Sequence, residues 1–137
     1  MNELAPILLV EDDRIDAMTV RRALGELGVA NPLVHLGDGE AALEYMKANE
    51  RRFCVVLLDL NMPKMGGIEF LKAARAGGFL KDAPVLVFIG SEEDRERLEK
   101  LGVGVNGYIV KSVDYKKFAE SVKIIEKYAT IVKTVKT

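Results

Sequence analysis

Five strand-sized apolar runs alternate with helix-patterned segments along the chain, and this alternation restricts the fold more than any other feature. The runs occupy residues 7–10, 32–36, 54–59, 84–89 and 107–110. The segment after the first run repeats Ala17, Val20, Leu24 and Leu27 at three- and four-residue steps, the period of a helix with one buried face, and Gly28 suits its C-terminal end. Asp38-Gly39 is turn chemistry, and the helix expected at about 40–49 has the core face Ala42, Leu43 and Met46. Ile68, Leu71 and Ala74 mark a third helix, and Ser91 followed by Glu92-Glu93-Asp94 reads as the capped start of a fourth. The last helix is expected from near Asp114 to about Val132. It carries two apolar stripes, Phe118, Val122, Ile125 and Ala129 on one and Ile124, Tyr128 and Ile131 on the other. One stripe covers a sheet; the second is either a broadened core face or a contact with another chain, such as a homodimer through the last helix. Five strand–helix units make a mostly parallel α/β sheet with helices on both faces.

The ends of two runs carry the chemistry. Asp59 closes Cys54-Val55-Val56-Leu57-Leu58, and Glu11-Asp12-Asp13 follows Ile7-Leu8-Leu9-Val10. Parallel sheets place their sites at the carboxyl ends of their strands, so these acids meet if the two strands are neighbours. Carboxylates held within a few ångströms of one another cost free energy unless a proton or a cation neutralises them. The pattern therefore points to a divalent metal. Asp13 is assigned to capping the first helix or to a supporting role, and capping competes for Asp12 as well. Pro63, with no amide hydrogen, and Gly66-Gly67, with wide dihedral freedom, suit a loop of fixed path beside Asp59.

Composition narrows the remaining classes. A chain of 137 residues fits one domain, 1–137, and buries about two-thirds of its unfolded surface without staples. Twenty basic and 21 acidic side chains offer no electrostatic footprint for nucleic acid or for an anionic membrane, so the expected partners are proteins. The single Cys54 sits in an apolar run and reads as a small buried hydrophobe, consistent with a reducing, cytoplasmic setting. His35 has no second histidine at ligand spacing and is read as structural or surface.

In order and interval, Leu8-Leu9-Val10-Glu11-Asp12-Asp13, Leu57-Leu58-Asp59-Leu60-Asn61-Met62-Pro63 with Gly66-Gly67, and Gly107-Tyr108-Ile109-Val110-Lys111 resemble the receiver domain of two-component response regulators. The long connection at 73–83 and the lack of an output domain are similar to the stand-alone receivers paired with phytochrome-type kinases. The resemblance implies a flavodoxin-like, doubly wound five-stranded parallel sheet of order 2-1-3-4-5 with five helices. It also implies a phosphoacceptor at Asp59, supplied by a sensor histidine kinase or phosphotransfer protein, and a Mg²⁺ ion held by Glu11, Asp12, Asp59 and the backbone carbonyl of Asn61. Lys111 would pair with a phosphoryl oxygen as a point charge.

Two positions depart from the pattern. Where the family carries a threonine or serine at the end of the fourth strand, this chain has Ile89, which offers no donor; losing one hydrogen bond to a charged acceptor costs about 1.5–3 kcal/mol. Ser91, two residues on, either reaches the site or caps the fourth helix, and the Gly90 amide remains as a donor. Ser112 follows Lys111 in place of the family's proline, so a trans link is expected. Tyr108 resembles the family's switch aromatic, whose inward path Ile89 would obstruct.

The leading reading is a phosphoacceptor that signals through protein–protein contacts with an atypical switch, any catalysis being limited to gain and loss of its own acyl phosphate. The alternative is a phosphorylation-independent pseudo-receiver acting as an interaction module. A haloacid-dehalogenase-type hydrolase is disfavoured because the second acid it needs, two residues after the first, is Asn61 here; no Gly-rich phosphate loop ending in Lys-Ser or Lys-Thr is present.

Overall fold

A computed structural model of the chain describes residues 4–49, 52–62, 65–80 and 83–132. The strands are β1 (Ile7–Val10), β2 (Leu33–Leu36), β3 (Val55–Asp59), β4 (Val85–Ile89) and β5 (Gly107–Val110). The helices are α1 (Arg14–Leu27), α2 (Gly39–Ala48), α3 (Gly67–Ala76), α4 (Glu92–Lys100) and α5 (Tyr115–Val122), followed by a 3₁₀ turn at Lys123–Lys127. All four strand pairings are parallel and the order is β2-β1-β3-β4-β5, the flavodoxin-like arrangement. The strand boundaries differ from the expected runs at Pro32 and Pro84. Each proline accepts a ladder hydrogen bond through its carbonyl, from Ile7 and Val56 respectively, but has no N–H to donate, so the paired strand starts one residue later.

Side-chain alternation divides the core in two. Even-numbered residues of β1 and β3, with Val85, Val87 and Ile89 of β4, pack beneath α2, α3 and α4. Ile7, Leu9, Val55, Leu57, Leu86, Phe88 and Ile109 pack beneath α1 and α5. The central strands β1, β3 and β4 are buried on both faces, which is why their sequences are unbroken apolar runs.

Side chains close the helix starts, as expected at Asp13 and Ser91, and Asp38 does so where turn chemistry was expected. Asp13 caps α1 by accepting from the Ile15 and Asp16 amides, Asp38 caps α2, and Ser91 caps α4 by accepting from the Asp94 amide. Each such cap is worth about 1 kcal/mol. Gly28 ends α1 at φ +79°, in the left-handed region where glycine carries no Cβ penalty.

The last helix is shorter than its apolar pattern predicts. It ends at Val122, tightens into the 3₁₀ turn, and then extends so that Ile131 bridges antiparallel to Val29. The β-branched run Thr130-Ile131-Val132 favours extended backbone, and hydrogen bonds from Ala30 to Thr130 and from Val132 to Gly28 fasten it to the end of α1. Ile124, Tyr128 and Ala129 pack against the same cluster as Ile125. Ile124 and Tyr128 of the second stripe are thus used within the chain, as partly buried contacts that broaden the core face, and Ile131 is held by its bridge to Val29. Pro63 and Lys64 of the loop after Asp59 lie outside the described residues.

Candidate functional site

Register alone brings three of the expected residues together. Val10 pairs with Leu58, so Glu11 and Asp59 each stand one step past a matched pair at the carboxyl ends of adjacent strands. Lys111 follows β5, where its amide donates to the Ile89 carbonyl. Glu11, Asp59 and Lys111 share the side-chain parity of Leu9, Leu57 and Ile109, which points all three to the α1/α5 side.

The distances define a compact site. One oxygen from each of Glu11, Asp12 and Asp59 lies within 4.8 Å of the other two. Glu11 is fully buried, Asp59 is buried, and Asp12 is open to solvent. Lys111 crosses β4 above the Phe88 ring, with Nζ 5.8 Å from the ring centroid, and reaches Glu11 Oε1 at 2.9 Å and Asp59 Oδ1 at 3.3 Å. Burial, and next the contact with Asp59, push the Glu11 carboxyl up to about 8; Lys111 offsets this only in part. Burial opposes the charge on Lys111, but hydrogen bonds to Glu11 and Asp16 and the charges of Glu11 and Asp59 outweigh it, so the lysine is raised and stays an ammonium.

Glu11 Oε2 is buried and finds no hydrogen-bond partner among the described residues. A buried orphan oxygen on a carboxyl group clustered with two others asks for a cation or a shared proton. The oxygen-only donor set, with Asp12 solvent-exposed, fits a hard divalent ion that retains several waters.

The surroundings are arranged by other expected residues. His35 Nε2 donates to the Glu11 carbonyl at 2.8 Å, a structural role that fixes the β1 terminus. Gly67 lies where a Cβ would stand 2.3 Å from the Asp59 carbonyl oxygen, so only glycine lets the start of α3 approach the end of β3 this closely. Asn61 lies on the exposed stretch two residues beyond Asp59.

The β4 terminus is occupied differently. Ile89 is packed into the α2/α3/α4 side of the core. The Gly90 amide donates to Asp94 Oδ2 at 3.0 Å, and the Ser91 hydroxyl accepts from the Asp94 amide, so helix capping claims both. Tyr108 is half-buried against the same cluster, with the Arg95 guanidinium 5.2 Å from its ring centroid. Among the described residues no peptide is cis, and the Ser112 hydroxyl accepts from the Asp114 amide. One participant escaped the sequence reading. Asp16, in the first turn of α1, contacts Lys111 Nζ through Oδ2 at 2.9 Å. An acid there reads as a partner of the helix dipole, and only the packing of α1 beside α5 on one face of the sheet, with Lys111 reaching across β4, reveals the pair.

The profile of the response regulator receiver domain matches residues 7–123. The chain belongs to the response regulator receiver family. It is 35% identical over 126 residues to the probable methanogenesis regulatory protein FilR2 of Methanothrix harundinacea, covering 89% of this chain and 81% of that protein. It is 33% identical over 127 residues to the response regulator Rcp1 of Synechocystis, covering 89% and 86%. Among solved structures, the bacteriophytochrome response regulator AtBRR superposes with a TM-score of 0.79 at 31% identity, covering 97% of this receiver and all of that chain. The phosphorylated cyanobacterial phytochrome response regulator RcpA gives 0.79 at 31%, covering 93% and 94%. The Mn²⁺-bound form of Rcp1 gives 0.76 at 32%, covering 90% and 93%. Receivers of this kind are signalling proteins rather than classical enzymes, and they interact with histidine kinases or phosphotransfer proteins. No helix among the described residues is long and apolar enough to cross a membrane.

Proposed function

We propose that this receiver accepts a phosphoryl group on Asp59 from a sensor histidine kinase or phosphotransfer protein and acts as a cytoplasmic signalling switch. The observation that carries this reading is the convergence of Glu11, Asp12 and Asp59 oxygens within 4.8 Å, with the Lys111 ammonium 3.3 Å from Asp59. Mutually repelling acids around a nucleophilic carboxylate stabilise nothing by themselves, whereas they suit an anionic group transferred beside a cation. The similarity to RcpA, solved in phosphorylated form, supports the same assignment.

In the step itself an Asp59 oxygen forms a bond to phosphorus as the P–N bond of the donor phosphohistidine breaks. The bonding pair leaves with the imidazole nitrogen, and the product is an acyl phosphate. Mg²⁺, held by Glu11, Asp12, Asp59 and the Asn61 carbonyl, would neutralise the approaching anion and draw charge from the phosphoryl oxygens. Lys111 pairs with one phosphoryl oxygen in the transition state and product. Buried Glu11 is kept in place by the Lys111 and His35 contacts around it. The signalling face is that of α4, β5 and α5, with Tyr108 on it.

The test is direct. Incubation with Mg²⁺ and acetyl phosphate should add one phosphoryl mass, labile to hydroxylamine and absent from Asp59→Asn. A second reading, a phosphorylation-independent interaction module, is favoured by the β4 terminus, where Ile89 lacks a donor and the Gly90 amide is already bonded to Asp94. It requires that no label appear and that partner binding be indifferent to Asp59→Asn.

A further inference from the structure

The corner between β2 and α2 touches both halves of the acid cluster. On one side the Leu36 carbonyl accepts from the Glu11 amide at 3.0 Å, and His35 holds the Glu11 carbonyl through Nε2 at 2.8 Å. On the other side Gly39, the first residue of α2, is buried against residues that follow Asp59. A Cβ at position 39 would stand 2.9 Å from the Met65 carbonyl oxygen, 2.9 Å from Phe70 Cβ and 3.0 Å from Met65 Cγ. Two of these three neighbours are backbone or the root of a side chain, so they cannot swing aside. Close packing, not helix propensity, accounts for glycine at this helix start.

The contact continues from Met65 and Phe70 to the phosphoacceptor strand. Phe70 lies in the first turn of α3, where its amide donates to the Gly66 carbonyl at 2.9 Å, and the Gly67 amide donates in turn to the Leu60 carbonyl at 3.0 Å. Gly67 itself abuts the Asp59 and Leu60 backbone. The start of α2 thus bears on Asp59 and Leu60 through one layer of packed chain, while the strand before it is bonded to Glu11. We infer that Gly39 is a positioning residue for the divalent ion: by seating α2 directly on Met65 and Phe70, it keeps the Asp59 side of the acid cluster in register with Glu11. This role rests on the phosphoacceptor reading, with its Mg²⁺ site, and deepens it. Gly39 carries no ligand atom of that site. Residues that only orient the ligands of a metal still change its affinity by about 10- to 100-fold when altered.

The experiment follows acyl-phosphate formation from acetyl phosphate by intact mass as Mg²⁺ is varied, on the full chain and on Gly39→Ala, Met65→Ala and Gly37→Ala. Gly39→Ala forces Met65 and Phe70 away and should raise the Mg²⁺ concentration for half-maximal labelling about tenfold, with little change in the rate at saturating Mg²⁺. Met65→Ala removes the side chain that Gly39 backs and should shift the same concentration in the same direction by a smaller factor. Because it does not overpack the core, it carries the test if Gly39→Ala does not fold. Gly37→Ala makes the same change two residues away in the same corner, where a Cβ meets nothing within 4 Å, and should leave the Mg²⁺ dependence unaltered. Calorimetric Mg²⁺ affinities should move in parallel. In metal-free protein, Gly39→Ala should speed exchange at the Gly67 amide, whereas a general loss of stability would speed it throughout the sheet. A labelled wild type whose Mg²⁺ dependence is unmoved in Gly39→Ala and Met65→Ala, or moved equally in Gly37→Ala, overturns the positioning role alone. A wild type that binds Mg²⁺ but takes no hydroxylamine-labile label overturns the phosphoacceptor reading, and the calorimetric affinities of the same variants then decide the positioning role. A wild type that neither labels nor binds Mg²⁺ overturns both.

Discussion

Glu11 is the residue whose environment most departs from water. Its carboxyl, ordinarily near 4.5, is pushed up to about 8 by burial and by the neighbouring Asp59. Between those values the folded chain holds a proton that the unfolded chain has lost. The metal-free protein therefore loses stability as pH rises from about 4.5 to 8. A divalent ion must displace the same proton, so its affinity should rise by about tenfold per pH unit between 6 and 8 and level off above. Calorimetric Mg²⁺ titrations at three pH values would measure this, and an affinity independent of pH would show that no proton is shared there. At Ile89 the expected outcome concerns both stability and signalling. Ile89→Thr trades a buried methylene and methyl for a hydroxyl and should cost about 1–3 kcal/mol in denaturant unfolding. If the hydroxyl reaches the phosphoryl group, the variant's acyl phosphate should also change in lifetime; an unaltered lifetime would place position 89 outside the chemistry.

At the scale of elements, two glycines hold neighbouring segments together. A Cβ at Gly28 would lie 2.4 Å from the Val132 carbonyl oxygen, in addition to the left-handed φ. Gly28→Ala should thus destabilise by about 1–3 kcal/mol and free the C-terminal strap, seen as accelerated amide exchange at Ala30 and Val132. Gly67→Ala presses instead on the Asp59 backbone, and it should reduce acyl-phosphate formation at least as much as it reduces stability. Strap loss at Gly28 with normal phosphorylation, against the reverse at Gly67, would separate the two contacts. The strap also explains the misread last helix. Periodicity continued through Tyr128 because Ile124, Ile125, Tyr128 and Ala129 all pack inward, and a helical pattern does not distinguish an α-helix from a 3₁₀ turn followed by an extended strand.

For the molecule as a whole, metal binding and folding are linked through the same acids. Mg²⁺ at 100 times its dissociation constant should add about 2.7 kcal/mol to the unfolding free energy, and Asp12→Asn should remove most of that gain without disturbing the core, because Asp12 is exposed. Thermal melts with and without Mg²⁺ test both statements. Ile124 and Tyr128 of the second apolar stripe have partners within the chain, and on that ground sedimentation at micromolar concentration should give a monomer. A dimer that persists there would locate an interface on some other face.

Much of this protein was settled by local chemistry. Apolar runs of strand length, acids at their ends, capping residues such as Asp13 and Ser91, and Gly28 at a helix end each act within a few residues, so their spacing assigned the strands and most helices and marked acids at two strand ends, while the receiver resemblance singled out Glu11, Asp12 and Asp59 as one cluster. Sheet packing decided what sequence distance conceals. Lys111 meets Asp16 across 95 positions and Asn31 ties the Thr130 amide across 99, and no local pattern encodes either contact. The use of Gly90 and Ser91 by Asp94, rather than by the site, also became visible only when α4 was seated against the end of β4. Side chains choose among competing partners by distance and burial, and both are set by how the helices pack on the sheet.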